Sequence, residues 1–123
     1  MKIRKSAEDY LEMILMLREE KGYVRSIDIA AGLSVSKPSV SVAMKHLRED
    51  GYIEMDHDSL ITLTEKGLDI AQRIYRRHQV ITALLMRLGV SEETAREDAC
   101  KIEHDVSPET FAALQRYMEA HQI

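Results

Sequence analysis

Apolar positions recur every three or four residues along most of this chain, a period that predicts helices. Tyr10, Leu11, Ile14, Leu15 and Leu17 mark one face of a first helix from Ser6 to about Glu20, with Ser6 and Asp9 as a capping box. Lys21-Gly22-Tyr23 ends it, Gly22 suiting a C-terminal cap. Ser26 is expected to cap a second helix over Ile27 to about Leu33, and residues 32–36 form a tight turn. Ser36 caps a third helix with Pro38 in its first turn, where a missing N–H costs nothing. Its buried stripe is Val40, Ala43, Met44 and Leu47, and Asp50-Gly51 stops it.

The period then changes. Tyr52–Met55 and Leu60–Leu63 alternate apolar and polar residues around the polar turn Asp56-His57-Asp58-Ser59, which predicts a hairpin. Helix, turn, helix and hairpin in succession make a winged helix-turn-helix. Thr64 caps a long fourth helix that runs to Leu88 and stops at Gly89. Ser91 opens a fifth, reaching about His104, with Ala95, Ala99 and Ile102 facing inward. Ser107-Pro108-Glu109 opens the last, whose stripe is Phe111, Leu114, Tyr117 and Met118. The expected fold class is mainly α: a winged helix-turn-helix domain over residues 1–67, then a helical domain over 68–123.

With 45% apolar and 31% charged residues, 123 residues suffice for one ordinary domain or two small ones. No apolar run approaches the roughly 20 residues of a membrane span. Met1-Lys2-Ile3-Arg4-Lys5 leads into Glu8, Asp9 and Glu12 rather than an apolar core, which reads against a signal peptide. The lone cysteine fits a reducing compartment, and the expected location is cytoplasmic. Net charge is −4, shared equally between residues 1–67 and the remainder. An acidic chain is a poor constitutive ligand for nucleic acid, so DNA binding needs locally placed cations and something that offsets the bulk charge. Bound divalent cations would offset it.

Candidate donors for such a cation are present. Cys100, Glu103 and His104 stand at i, i+3 and i+4, so on a helix all three project from one face. Asp9 and Glu12, three residues apart, and His78 on the fourth helix supply three more. Mixed O, N and S donors suit Fe²⁺, Mn²⁺, Co²⁺, Ni²⁺ or Zn²⁺ rather than Mg²⁺ or Ca²⁺. Each residue also has a plainer role: Asp9 as a capping residue, Glu12 as a solvated helix residue, His78 as part of the basic run after Arg76 and Arg77. Cys100 fits a small buried hydrophobe, and Glu103 and His104 an ordinary helix end.

The second helix of a helix-turn-helix lies in the major groove, its N-terminal residues at base edges. Here these are Ser36, Lys37, Pro38, Ser39 and Ser41, with Lys45 further along and Arg25 and Lys66 as further cations for phosphate. No Arg, Asn or Gln precedes Arg48 on this helix, so modest direct readout is expected, helped by Pro38 against thymine methyls and by DNA shape. No nucleophile–base pair or Gly-rich phosphate loop suggests an enzyme or an organic substrate.

Together these residues resemble the diphtheria toxin repressor family of iron- and manganese-responsive metalloregulators, in its short two-domain form. The resemblance rests on Ser6-Ala7-Glu8-Asp9-Tyr10-Leu11-Glu12, Asp28-Ile29-Ala30, Pro38-Ser39-Val40, Leu63-Thr64-Glu65-Lys66-Gly67, Arg77-His78 and the stretch from Glu97 to His104. It implies a homodimer that binds one or two Fe²⁺ or Mn²⁺ ions per chain and then clamps a palindromic operator to repress metal-uptake genes. Asp9, His78, Cys100, Glu103 and His104 match family ligands, and Glu12 matches one of the manganese branch. The pattern is a hybrid: that branch has glutamate where Cys100 stands, and the iron branch has methionine where Asp9 stands. The iron branch's ancillary site uses residues at positions held here by Thr82 and Arg96, so that site is not expected. Two other readings remain: a winged-helix repressor that senses thiol oxidation at Cys100 or a small molecule, and a metal-buffering protein or metalloenzyme.

Overall fold

The computed structural model describes residues 5–122. Its elements run α1 (Lys5–Lys21), α2 (Ser26–Leu33), α3 (Lys37–Glu49), β1 (Ile53–Met55), β2 (Ile61–Leu63), α4 (Glu65–Arg87), α5 (Glu92–Ile102) and α6 (Pro108–Ala120). The chain divides into two compact units, the second beginning at Arg73 within α4.

In the first unit, α1 to α3 carry the core. Leu11, Ile14, Leu15 and Leu17 of α1 and Val40, Met44 and Leu47 of α3 are buried, while Tyr10 and Ala43 of the same expected stripes are half-buried; Ile29 of α2 joins this core. Ser36 caps α3, its Oγ accepting from Ser39 N at 3.2 Å. The starts of α1 and α2 differ from expectation by a residue. Ser6 lies inside the first turn of α1 rather than at its cap. The α2 cap is Arg25 rather than Ser26, because the Asp28 carboxylate reaches back to Arg25 N at 3.0 Å.

The hairpin pairs β1 and β2 antiparallel, with Ile53 opposite Leu63 and Met55 opposite Ile61. Both strands are one residue shorter than the alternation suggests. Ile53 and Ile61 point into the core, and Ile61 N donates to Val24 O at 2.8 Å, fastening the hairpin to the segment before α2. Its base is locked to the start of α4. Thr64 Oγ1 donates to Gly51 O at 2.7 Å and accepts from Gly67 N at 3.2 Å. Gly67 is required there, since a Cβ would lie 2.0 Å from Tyr52 O.

The second unit is helical. Ser91 and Ser107 cap α5 and α6 through Thr94 N and Thr110 N. Ile74, Ile81, Ala95, Ala99 and Met118 are buried. Two residues assigned to inner faces are not: Ile102 is 39% and Tyr117 55% exposed. Helix α5 also stops at Ile102, short of the expected His104. Among the described residues, no helix is long and apolar enough to cross a membrane.

Candidate metal centre and nucleic-acid interface

In the second unit His78, on α4, meets the end of α5. His78 Nδ1 lies 3.0 Å from Glu103 Oε2 and 3.8 Å from Cys100 Sγ. One donor atom from each of these three residues lies within 4.8 Å of the others. Ions with bonds of about 2.0–2.3 Å to N, O and S hold such donors at roughly this spacing or slightly closer. Glu103 has no exposed surface, and its second oxygen, Oε1, lies 3.4 Å from His104 Nε2.

Helix spacing explains Cys100 and Glu103, which are i and i+3. It does not explain His104. Glu103 is the C-cap of α5, and His104 stands in the following turn, closed by Asp105 N donating to Ile102 O at 3.0 Å. The single helical face expected for all three donors is therefore corrected: the turn, not the helix, presents His104. Cys100 is exposed rather than a small buried hydrophobe.

A buried carboxylate is costly unless paired. Glu103 faces two imidazoles, yet its Oε1 has no hydrogen-bond partner among the described residues. Beside it, Cys100 and then Glu103 hold a proton on His78 against the opposing effect of burial, and push its pKa up to about 10. Electron-rich groups that retain a proton this firmly also suit a cation that replaces it. A buried, under-bonded carboxylate oxygen with N and S donors next to it fits a transition-metal ion.

Asp9 and Glu12 lie three residues apart on α1 of the first unit, Glu12 buried and Asp9 partly so. Arg96, at an ancillary-site position, is exposed and paired with Glu92 at 2.6 Å.

The reading surface is the outer side of α3. Ser36, Lys37, Pro38, Ser39, Ser41 and Lys45 are all exposed, as is Arg25. Ser36 Oγ also donates to Ser39 Oγ at 2.8 Å, so these two hydroxyls are ordered by one another. Lys66 is otherwise engaged: its Nζ donates to Asp50 O at 3.2 Å and lies 4.3 Å from the Tyr52 ring centroid. Val42 was not expected there. It is 57% exposed on the side of α3 between Pro38 and Lys45, and an apolar side chain left in water is the only signal of its role. Arg77, which the sequence places in a basic run before His78, is instead buried, and donates to the main-chain carbonyls of Glu103, at 3.1 Å, and Val106.

Two family models match the chain end to end: the iron dependent repressor N-terminal DNA binding domain over residues 2–61, and the iron dependent repressor metal binding and dimerisation domain over residues 64–122. The transcriptional regulator MntR of Escherichia coli O6:H1 is 42% identical over 118 residues, covering 96% of this chain and 76% of its own. Among solved structures, IdeR of T. acidophilum is similar with a TM-score of 0.81 and 33% identity, over 94% of this chain and 54% of that one. The manganese regulator SloR gives 0.82 and 32%, over 92% and 53%. The chain thus spans about half the length of these two solved proteins. The relatives that carry functional names are regulators, not enzymes. The chain belongs to the iron-dependent repressor family, metal-dependent repressors that bind DNA and dimerise, and it matches the models of the family's DNA binding domain and its metal binding and dimerisation domain.

Proposed function

We propose that this chain is a cytoplasmic transcriptional repressor activated by one or two Fe²⁺ or Mn²⁺ ions per chain, which then grips a palindromic operator as a homodimer and silences metal-uptake genes. The observation that carries the metal reading is the His78–Cys100–Glu103 cluster inside the metal-binding domain, with its buried, under-bonded carboxylate oxygen. His104 extends it. Asp9 and Glu12 complete the ligand set from α1; family membership and their helical spacing support this assignment. The thiolate donor favours Fe²⁺ over Mn²⁺.

A bound ion supplies positive charge and fixed coordination directions, which make donors on separate helices into one body. His78, Cys100 and Glu103 would hold the ion through one ring nitrogen, the sulfur and a carboxylate oxygen, the ion taking the place of the proton on His78. A first domain organised in advance meets DNA with less ordering left to do, so metal and operator strengthen each other's binding. The domains are residues 1–67 and 68–123. Arg25, Lys37 and Lys45 contact phosphates, while Ser36, Pro38, Ser39 and Ser41 approach base edges at the start of α3. Met86, Leu88, Ile102 and Tyr117, all exposed and apolar, supply the dimer surface.

The decisive test is operator binding measured anaerobically without metal and with Fe²⁺ or Mn²⁺. A rise in affinity with metal is expected, and equal affinity in all three conditions overturns the reading. A thiol-oxidation sensor is the second reading, favoured by the exposure of Cys100 and its 3.8 Å approach to His78 Nδ1. It requires Cys100→Ser to abolish a peroxide response while Glu103→Gln leaves that response intact.

A further inference from the structure

Arg77 precedes His78 on α4, about 100° around the helix. Its side chain is buried, and a buried guanidinium must place its donors. It donates to Glu103 O at 3.1 Å and to Val106 O, and its Cζ lies 5.3 Å from the Phe111 ring centroid. These two carbonyls bracket residues 103–106, the turn that leaves α5 and leads to the Ser107 cap of α6. The last carbonyls of a helix have no donor from within it, and a cation is favoured at that end.

Within this turn the main-chain donors of Glu103 and Asp105 are held by α5, through Ala99 O at 2.9 Å and Ile102 O at 3.0 Å. The carbonyls are held from α4, by Arg77. We infer that Arg77 is a positioning residue of the metal centre: the helix that supplies His78 also grips, through the next side chain along, the main chain that presents Glu103 and His104. A guanidinium has no lone pair and cannot be a ligand. Its contribution is to fix the separation between one imidazole and the carboxylate and imidazole facing it, as residues behind metal ligands do.

The inference rests on the metal-centre reading, so the test reports on each separately. Co²⁺ is titrated anaerobically into the full chain as wild type, Arg77→Lys and Arg77→Met. Thiolate-to-cobalt charge transfer and d–d absorption are followed, with thermal unfolding of the metal-free proteins in parallel. Arg77→Met is expected to bind Co²⁺ about 10- to 100-fold more weakly, with shifted d–d bands. Arg77→Lys, which keeps the charge but reaches only one carbonyl well, should recover part of the affinity. A folded Arg77→Met with wild-type affinity and spectrum overturns the inference, even if its unfolding temperature drops. Should Arg77→Met not fold, Arg77→Lys decides by the same criterion. A wild type that shows no thiolate band overturns the metal centre itself.

Discussion

The reading surface of α3 and the cluster between α4 and α5 solve opposite physical problems. On α3 the candidate DNA contacts are exposed, mostly within ten residues of one another, and ordered by bonds local to the helix start, such as Ser36 to Ser39. Water solvates them all, so burial does not constrain their identity, although Ser36 also caps α3. The cluster instead places a carboxylate with no exposed surface beside two imidazoles, drawing on residues 78 and 100–104. Charge taken out of water must be compensated. The cluster's chemistry is therefore coupled to folding and protonation, and that of the reading surface is not.

That difference is tested hardest at Glu103. Glu103→Ala removes the group facing both His78 and His104, and should weaken Mn²⁺ or Fe²⁺ binding by more than about 100-fold, beyond the loss typical of residues behind the ligands. Calorimetric titration reads the loss. Operator binding should cease to respond to metal. Lys45→Ala, at the exposed site, should leave metal affinity unchanged. A Glu103→Ala variant that keeps its metal affinity would erase the distinction between the two regions.

Protonation separates them next. His78 is held at about 10 by Cys100 and Glu103, far above an ordinary imidazole. A raised folded-state pKa stabilises the metal-free protein fully below about 6.5, and the benefit is lost as pH rises through about 10. Metal must displace that proton. Between these values affinity should rise by about tenfold per pH unit from His78 alone, with release of about one proton per ion in weakly buffered titrations. In His78→Gln this proton release should vanish. A pH-independent affinity in the wild type would show that the proton and the metal do not compete at His78.

How far each region can be read from sequence follows from the same contrast. Ser36 and Pro38 announce the start of α3 through chemistry that acts within one turn, and the structure places that start at Lys37. The spacing of Cys100 and Glu103 is likewise local. His104 was expected to continue the helix because no glycine or proline interrupts residues 103–106. The turn is held by Arg77, from 26 residues away, and that bond leaves no trace in the local pattern. Arg77 itself reads as one of two basic surface residues before a histidine. The helical period assigns Ile102 and Tyr117 to inner faces because an apolar stripe does not show which of its positions water reaches. Val42 is also apolar and exposed, at a position outside the expected stripe of α3.

Cys100 offers a smaller effect. Cys100→Glu exchanges sulfur for oxygen while keeping a negative donor, and should shift preference from Fe²⁺ toward Mn²⁺ by about tenfold, since oxygen ligands suit the harder ion. Metal-dependent operator binding should survive. A thiol sensor would lose its response altogether with this substitution. Anaerobic competition between the two ions on the wild type and the variant distinguishes these outcomes.

The smallest expected effects lie on α3, and their character matters more than their size. Lys45→Ala should weaken operator binding several-fold for all sequences alike, and reduce the slope of log affinity against log salt by about one if Lys45 meets one phosphate. Val42→Ser removes exposed apolar surface without removing charge. It should leave the salt slope intact and cost about 1 kcal/mol only on operators with thymine at the position Val42 faces, through loss of methyl contact. Neither change should alter unfolding by more than about 0.5 kcal/mol, because both side chains are already in water. Binding measured across a set of operator variants at several salt concentrations separates the two. A uniform loss in Val42→Ser would assign Val42 to the general fit of α3 in the groove, leaving Pro38 and the serines as its readers of sequence.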